Sequence, residues 1–395
     1  MKPLAAALIA LLLAGAPVAA QDGATLRVAA DGSADHQTIS AAIEAAAPGD
    51  TILIAPGEYV ENLVIDKPVT LRGDGLRDEV VIVPDPVLVQ RREIPDGDPV
   101  ATHVFVDGVD ATIEHLSLGD SERIQAGLML TGANPVVRDI VSPRIIGANG
   151  EIDATIESSE LGRIILMGPE ARMTVRDSTL VDGVVVGMGA TGLVEGNLIL
   201  DFPVDILERS SLEVRGNTFR PEEGVTAVWV DWAGASATVV DNLIEGGWQG
   251  IHVEHGSSAH IEGNTITEPE FGIVVIETDA IIRGNTITDA GEYGIMVSGD
   301  GITAEDNTVT GGRMGIIAAV PNGYPPGAPR FDEPSRVVGN TITGASHFGL
   351  VVDAASPVVA GNTICAGREA VRFEGDAKPQ IGSNEICEPE GEAGG

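Results

Sequence analysis

The decisive stretch is Ile261-Glu262-Gly263-Asn264-Thr265-Ile266-Thr267, which returns one period later as Ile282-Arg283-Gly284-Asn285-Thr286-Ile287-Thr288. The same core motif recurs at Gly216-Asn217-Thr218-Phe219, Gly339-Asn340-Thr341-Ile342 and Gly361-Asn362-Thr363-Ile364, with weaker copies around Asn197, Asn242, Asn307 and Asn384. A period near 20 to 25 residues is the mark of a solenoid. Further upstream, Asp177, Ser158, Asp139 and His115 read as occupants of the Asn slot, which extends the repeat over about residues 100–390. Each repeat holds three short apolar runs, such as Ile295-Met296-Val297, Ile302-Thr303-Ala304 and Thr308-Val309-Thr310, separated by Gly, Asp or Asn. Runs this short, with alternating polarity and turn residues between them, are strands.

Three strands per coil specify an all-β chain. The expected architecture is a single-stranded right-handed parallel β-helix, a solenoid with an N-terminal capping helix. A leucine-rich horseshoe would need a Leu-x-x-Leu-x-Leu pattern, and a propeller repeat would be about twice as long. The recurrent Asn then has a structural task. Stacked at one bend of every coil, its amide can bond the local backbone and the Asn above and below. Asn197, Asn217, Asn242, Asn264, Asn285, Asn307, Asn340, Asn362 and Asn384 are therefore read as a ladder, and Asn also tolerates the left-handed backbone of a sharp bend.

Composition agrees with a thin rod. Of 395 residues, 50 are Gly, while Phe, Tyr and Trp number only 7, 3 and 3. The coil bends account for the glycine, and Val, Ile, Leu and Ala must fill the lumen. The net charge of −36 excludes nucleic acid held by phosphate neutralisation, and also adhesion to anionic lipid. Met1-Lys2-Pro3, an apolar run from Leu4 to Leu13 and small residues ending Val18-Ala19-Ala20 read as a signal peptide over residues 1–20. The run is too short to span a bilayer, which takes roughly 20 apolar residues, so no membrane insertion is expected. The mature chain is expected to be exported, to the periplasm or beyond. Its divisions are a cap with first coils (21–100), the repeats (101–388) and an acidic Gly-rich tail (389–395). Asp35 to Ala46 is read as the capping helix, with Ile39, Ala42, Ile43 and Ala46 on one face.

Cys365 and Cys387 lie one coil period apart, each after Asn-x-Ile, so the repeat sets them side by side on neighbouring strands. Strand spacing of ~4.8 Å suits a disulfide, and an export compartment is oxidising. A bond clipping the last coil to its neighbour is expected.

The segments Gln37-Thr38-Ile39, Ala47-Pro48-Gly49-Asp50-Thr51-Ile52, Pro56-Gly57-Glu58-Tyr59 and Lys67-Pro68-Val69-Thr70-Leu71-Arg72-Gly73 resemble the opening of many exported β-helix proteins. Pectin methylesterases and the periplasmic copper-accessory protein of nitrous oxide reductase maturation begin similarly. Together with the Gly-Asn-Thr-Ile repeats, the chain resembles the pectin-lyase-like superfamily. That resemblance implies the fold, and a substrate lying along the outside of one strand stack. The superfamily's activity motifs are missing: no internal Gln-Asp pair, no Asn-Thr-Asp or Gly-His-Gly, and no Asp-Pro-His.

Chemistry must therefore be sought in the outward positions. One stretch stands out. Trp229, Asp231, Trp232, Trp248, His252, Glu254 and His255 fall on two adjacent coils and hold all three tryptophans, and Glu277 and Tyr293 extend the patch. Tryptophan faces stack on sugar rings. Paired carboxylates suit glycosidic acid/base work, and with a His they can take a proton from a sugar or bind a cation. Asp231, His252 and Glu254 are the expected catalytic set. Trp229, Trp232, Trp248, His255, Glu277 and Tyr293 are the expected binding residues. The partner is a carbohydrate polymer, processed by a lyase or hydrolase. An acidic glycan would need calcium to bridge it to so negative a wall. The alternatives are a non-catalytic periplasmic factor similar to the copper-accessory protein, or a structural surface rod. Two segments interrupt the period: Pro84 to Pro99, carrying Arg91 and Arg92, and Val320 to Pro334, carrying Tyr324 and Arg330. Both are read as loops, and inserted loops on solenoids cluster at binding faces.

Overall fold

The computed structural model describes residues 23–88, 90–94, 97–320 and 334–387. The coil that contains Asn264 shows the plan. A first strand runs Gln249–Val253, a second Ser258–Glu262 and a third Thr265–Thr267. Each pairs in parallel with its counterpart one coil on, at Phe271–Ile276, Asp279–Arg283 and Thr286–Thr288. Repetition gives a parallel β-helix. Among the described residues, fourteen first strands stack in one continuous path from Leu63–Ile65 to Glu369–Glu374, while the second and third strands share a larger sheet.

Alternation fills the lumen. Ile244, Ile266, Ile287, Val309, Ile342 and Ile364 stand in register on the third strands and are all buried. Val228, Ile251, Ile273, Ile295, Ile316 and Leu350 do the same on the first. Burying such a side chain contributes roughly 1.5–3 kcal/mol, and identical neighbours repeat the gain at every coil. The lumen is narrow enough to dictate glycine at one inward position of the first strand. A Cβ at Gly272 would lie 2.2 Å from the Gly294 carbonyl oxygen and 2.9 Å from Ile287 Cγ2. The Phe-Gly-Ile pattern is thus a packing requirement.

At the second bend each Asn carbonyl Oδ1 accepts twice from the preceding coil. Asn264, for example, donates from its backbone N–H and from Nδ2 to Asn285 Oδ1, both at 2.9 Å, and Nδ2 also reaches the Val239 carbonyl at 2.8 Å. The chain of such bonds runs unbroken from Asn197 to Asn384. Two details differ from the sequence reading. The left-handed residue is the one before the Asn, with φ +67° at Gly263 and +55° at Asp241 and Asp306, so Gly-Asn divides the work between two residues. Consequently His115, Asp139, Ser158 and Asp177 occupy that left-handed slot (φ +50° to +56°), not the Asn slot. The ladder is continued upstream by serines: the Ser178 N–H donates to Asn197 Oδ1 and the Ser159 N–H to Ser178 Oγ.

The N-terminal helix spans only Ile39–Ala45, shorter than the apolar pattern suggests, because Thr38 caps it at one end and Ala46 is already extended. It lays Ile39, Ala42 and Ile43 into the continuous core. Lys67 Nζ donates to the carbonyls of Ile43, Glu44 and Ala46, which otherwise end the helix without partners. Residues 90–94, within the segment read as a loop, form a strand antiparallel to Gly97–Asp107. Tyr324 and Arg330 lie outside the described residues. At the other end Cys365 and Cys387 are disulfide-bonded, with Cα atoms 4.8 Å apart. No helix among the described residues is long and apolar enough to cross a membrane.

Candidate functional site

The outward row of the first sheet is bland over most of its length. In register it runs Val185, Asp205, Trp229, His252, Val274, Met296 and Ile317. In this stretch its polar positions fall on three consecutive coils, at Asp205, Trp229 and His252. Trp229 and His252 project side by side because they occupy one position on adjacent strands. Their rings stack, with centroids 6.1 Å apart and planes 7° from parallel.

Just past the end of the strand, the bend adds Asp231 and Trp232 on one coil and Glu254 and His255 on the next. Trp232, His255 and Glu277 are left-handed bend residues, with φ +76°, +54° and +52°. Asp231 is buried, and its Oδ1 accepts both the Trp232 backbone N–H at 2.6 Å and a bond from His255 Nδ1 at 2.7 Å. That bond raises the His255 pKa, and the imidazole is otherwise exposed to solvent. Glu254 accepts from the Trp229 indole N–H at 3.2 Å. Its second oxygen sits 3.6 Å from His252 Nε2 and 3.8 Å from His255 Nε2. Burial lowers the His252 pKa, and its Nε2 is shut off from solvent without a hydrogen-bond partner. Burial thus disfavours the charged form of His252, while the Asp231 carboxylate favours that of His255.

One residue of this corner escaped the sequence reading. Asp205 is the neighbour of Trp229 on the preceding coil. Burial, reinforced by the negative charge of Asp231 and only partly offset by Arg163, pushes its pKa up to about 6. Its Oδ1 is buried without a partner. The signal was present: in Val204-Asp205-Ile206 an acid stands between two lumen residues. It went unread because that coil has Pro203-Val204 where later coils open the strand with Gly-Ile, as at Gly250-Ile251 and Gly272-Ile273.

The structure divides the expected patch. Trp229, Asp231, Trp232, His252, Glu254, His255 and Glu277 lie at one bend. Trp248 precedes its strand, at the opposite edge of the sheet, where it meets Phe271 edge-on at 5.8 Å. Tyr293 tilts against Phe271 at 4.6 Å. Trp248 and Tyr293 therefore belong to a separate aromatic row. A five-residue strand rising ~3.3 Å per residue stands between the two groups. Trp232 is the tryptophan of the polar corner with an open face, 56% exposed.

The arrangement holds a carboxyl whose pKa is pushed up to about 6, a carboxylate–imidazole pair and an aromatic surface within one corner, the parts of a proton-transfer site on a polar ring substrate.

A search of curated proteins returns no match to this sequence. Among solved structures the chain is similar to the A-module of a mannuronan C-5 epimerase from Azotobacter vinelandii, at 19% identity over 89% of this chain and 94% of that one, with a TM-score of 0.42. It is similar to a periplasmic alginate epimerase at 13% identity, 81% and 85% coverage and a TM-score of 0.45. It is also similar to a PL6 family polysaccharide lyase from Pseudopedobacter saltans at 13% identity, 94% and 94% coverage and a TM-score of 0.45. The family model described as the right-handed β-helix region matches residues 143–266 and 249–392, well over half the chain. With the parallel three-strand coils already described, this chain belongs to the right-handed β-helix family.

Proposed function

We propose that the chain is an exported β-helix protein that binds and processes a carbohydrate polymer at the bend formed by Asp205, Trp229, Asp231, Trp232, His252, Glu254 and His255. The observation that carries this reading is that Asp205, its pKa pushed up to about 6, pairs in register with Trp229 and feels the charge of Asp231, which is bonded to His255. Trp232 offers its exposed face to a sugar. Asp205 donates a proton to the leaving oxygen. His255, oriented through Nδ1 by Asp231, takes a proton from the sugar or from water. Trp229 holds Glu254 in place through its indole N–H. A lyase or hydrolase fits this set. The wall's negative charge favours a neutral glycan, or an acidic one brought in with a divalent cation such as calcium. Trp248 and Tyr293 fit an outlying contact with a longer chain. The signal-like leader supports export.

The test is a panel of neutral and uronate polymers, with and without calcium, scored for unsaturated products and new reducing ends. Turnover should vanish in Asp205→Asn with binding retained, and Trp232→Ala should weaken binding by about 1–3 kcal/mol, an ordinary value for one stacked aromatic. Binding without turnover that neither substitution changes would favour a non-catalytic accessory factor. Absence of any glycan binding would leave the structural rod.

A further inference from the structure

The polar corner carries more nitrogen than a proton-transfer site needs. One oxygen each of Asp231 and Glu254 and one ring nitrogen of His255 lie within 4.8 Å of one another. A second imidazole approaches the same centre, because His252 Nε2 is 3.6 Å from Glu254 Oε2. It is buried and has no hydrogen-bond partner. A buried acceptor left unpaired costs free energy, and a cation between these groups would satisfy it.

The geometry points to a divalent transition-metal site formed by Asp231, Glu254 and His255, with His252 as a fourth donor. Metal–ligand bonds of roughly 2.0–2.2 Å bring cis ligands to about 3 Å from one another. The donors of Asp231, Glu254 and His255, within 4.8 Å of one another, therefore need shifts of about 1 Å each to meet one ion. The donors come from two adjacent coils whose register is set by the sheet, with Trp229 paired to His252, so the site is held by the solenoid itself. Imidazole nitrogen beside two carboxylates selects zinc or a neighbouring divalent metal over calcium, which takes oxygen ligands.

The inference goes beyond the carbohydrate reading of the same corner, since with metal bound His255 is a ligand and no longer the base, and it is tested without any glycan. Tag-free full-length protein, freed of metal, is titrated calorimetrically with zinc chloride and, separately, with calcium chloride. Cobalt(II) absorption reports imidazole coordination. One equivalent of zinc should bind, with an affinity far above that for calcium. His255→Ala should weaken it by about a hundredfold or beyond detection, and His252→Ala by about tenfold. His260→Ala, on the neighbouring strand of another sheet, should leave it unchanged. Circular dichroism establishes that each variant is folded, and Asp231→Asn supplies a near-isosteric second probe. No zinc binding, or binding indifferent to His255→Ala and Asp231→Asn, overturns the proposal. Zinc binding without glycan binding would keep it and discard the carbohydrate reading. Glycan turnover in zinc-free protein, with no zinc uptake, would do the reverse.

Discussion

At the residue scale, Asp205 is the most informative side chain. Its pKa is pushed up from 3.8 to about 6 chiefly by burial, so the folded state binds a proton that the unfolded chain has lost in that interval. The sign follows from linkage. The contribution of Asp205 to stability is fully present below pH 3.8 and is lost as pH rises through about 6. Asp205→Asn removes that loss. The variant should be more stable than the parent at pH 7–8, by up to about 3 kcal/mol at ~1.4 kcal/mol per pKa unit, and no different near pH 3. Urea denaturation across this range measures it. A gap that is constant with pH would show that Asp205 does not titrate there. Stability gained at the expense of turnover would fit a strained catalytic acid. His255 behaves oppositely to His252: pairing with Asp231 raises one, and burial lowers the other. Two histidines three residues apart, one on the strand and one in the bend after it, are thus shifted in opposite directions.

At the scale of the element, the Asn ladder is the repeating device that fixes the second bend. Asn285 accepts twice from Asn264 and donates to Asn307 Oδ1 and to the Ile261 carbonyl, with less than 1% of its surface exposed. Asn285→Ala orphans the Asn264 backbone N–H in a dry bend and takes one bond each from Asn264 Nδ2, Asn307 Oδ1 and the Ile261 carbonyl, which keep other partners or lose only the Asn285 amide. At roughly 1–3 kcal/mol for an orphaned buried group, the loss should be about 1–3 kcal/mol, read as a lower urea midpoint and faster hydrogen exchange confined to neighbouring coils. A change below about 0.5 kcal/mol would mean that water replaces the ladder. Gly263 and Gly284 precede their Asn for a separate reason, the positive φ of that position. Coils that use Asp or Ser there show that the slot admits residues whose short polar side chains tolerate it. The Asn repeat was legible because its period is strict. The one-residue displacement of the slot upstream was not, since Asp177-Ser178 and Ser158-Ser159 each offer two polar candidates and only hydrogen-bond direction separates them.

For the whole molecule, the governing quantity is the charge of −36 spread along a thin rod. Arginine ladders answer part of it: Arg176 bonds Glu157, Arg215 bonds Glu195 and Glu213, and Arg313 bonds Glu292. The remaining acids repel. Screening shortens the Debye length from ~30 Å at 0.01 M salt to ~8 Å at 0.15 M, so the melting temperature should rise by several degrees over that interval, monitored by calorimetry. A melting temperature that is flat or falls would mean that the surface ion pairs outweigh the repulsion.

The fold was decided by the sequence alone, because a solenoid writes its architecture as a local period: each coil contacts only its neighbours, so a repeated motif is a repeated structure. The alignment of Cys365 with Cys387 followed from the same period. The site was a different matter. The tryptophans cluster in the sequence, yet Trp248 and Trp232 stand at opposite edges of a sheet, since a strand separates what a count of residues places together. Asp205 is 26 residues from Asp231, yet its neighbour in the field of the corner, through stacking and the low dielectric that burial creates. Which side chains meet, which are dry and which keep a proton were settled only when successive coils lay on one another.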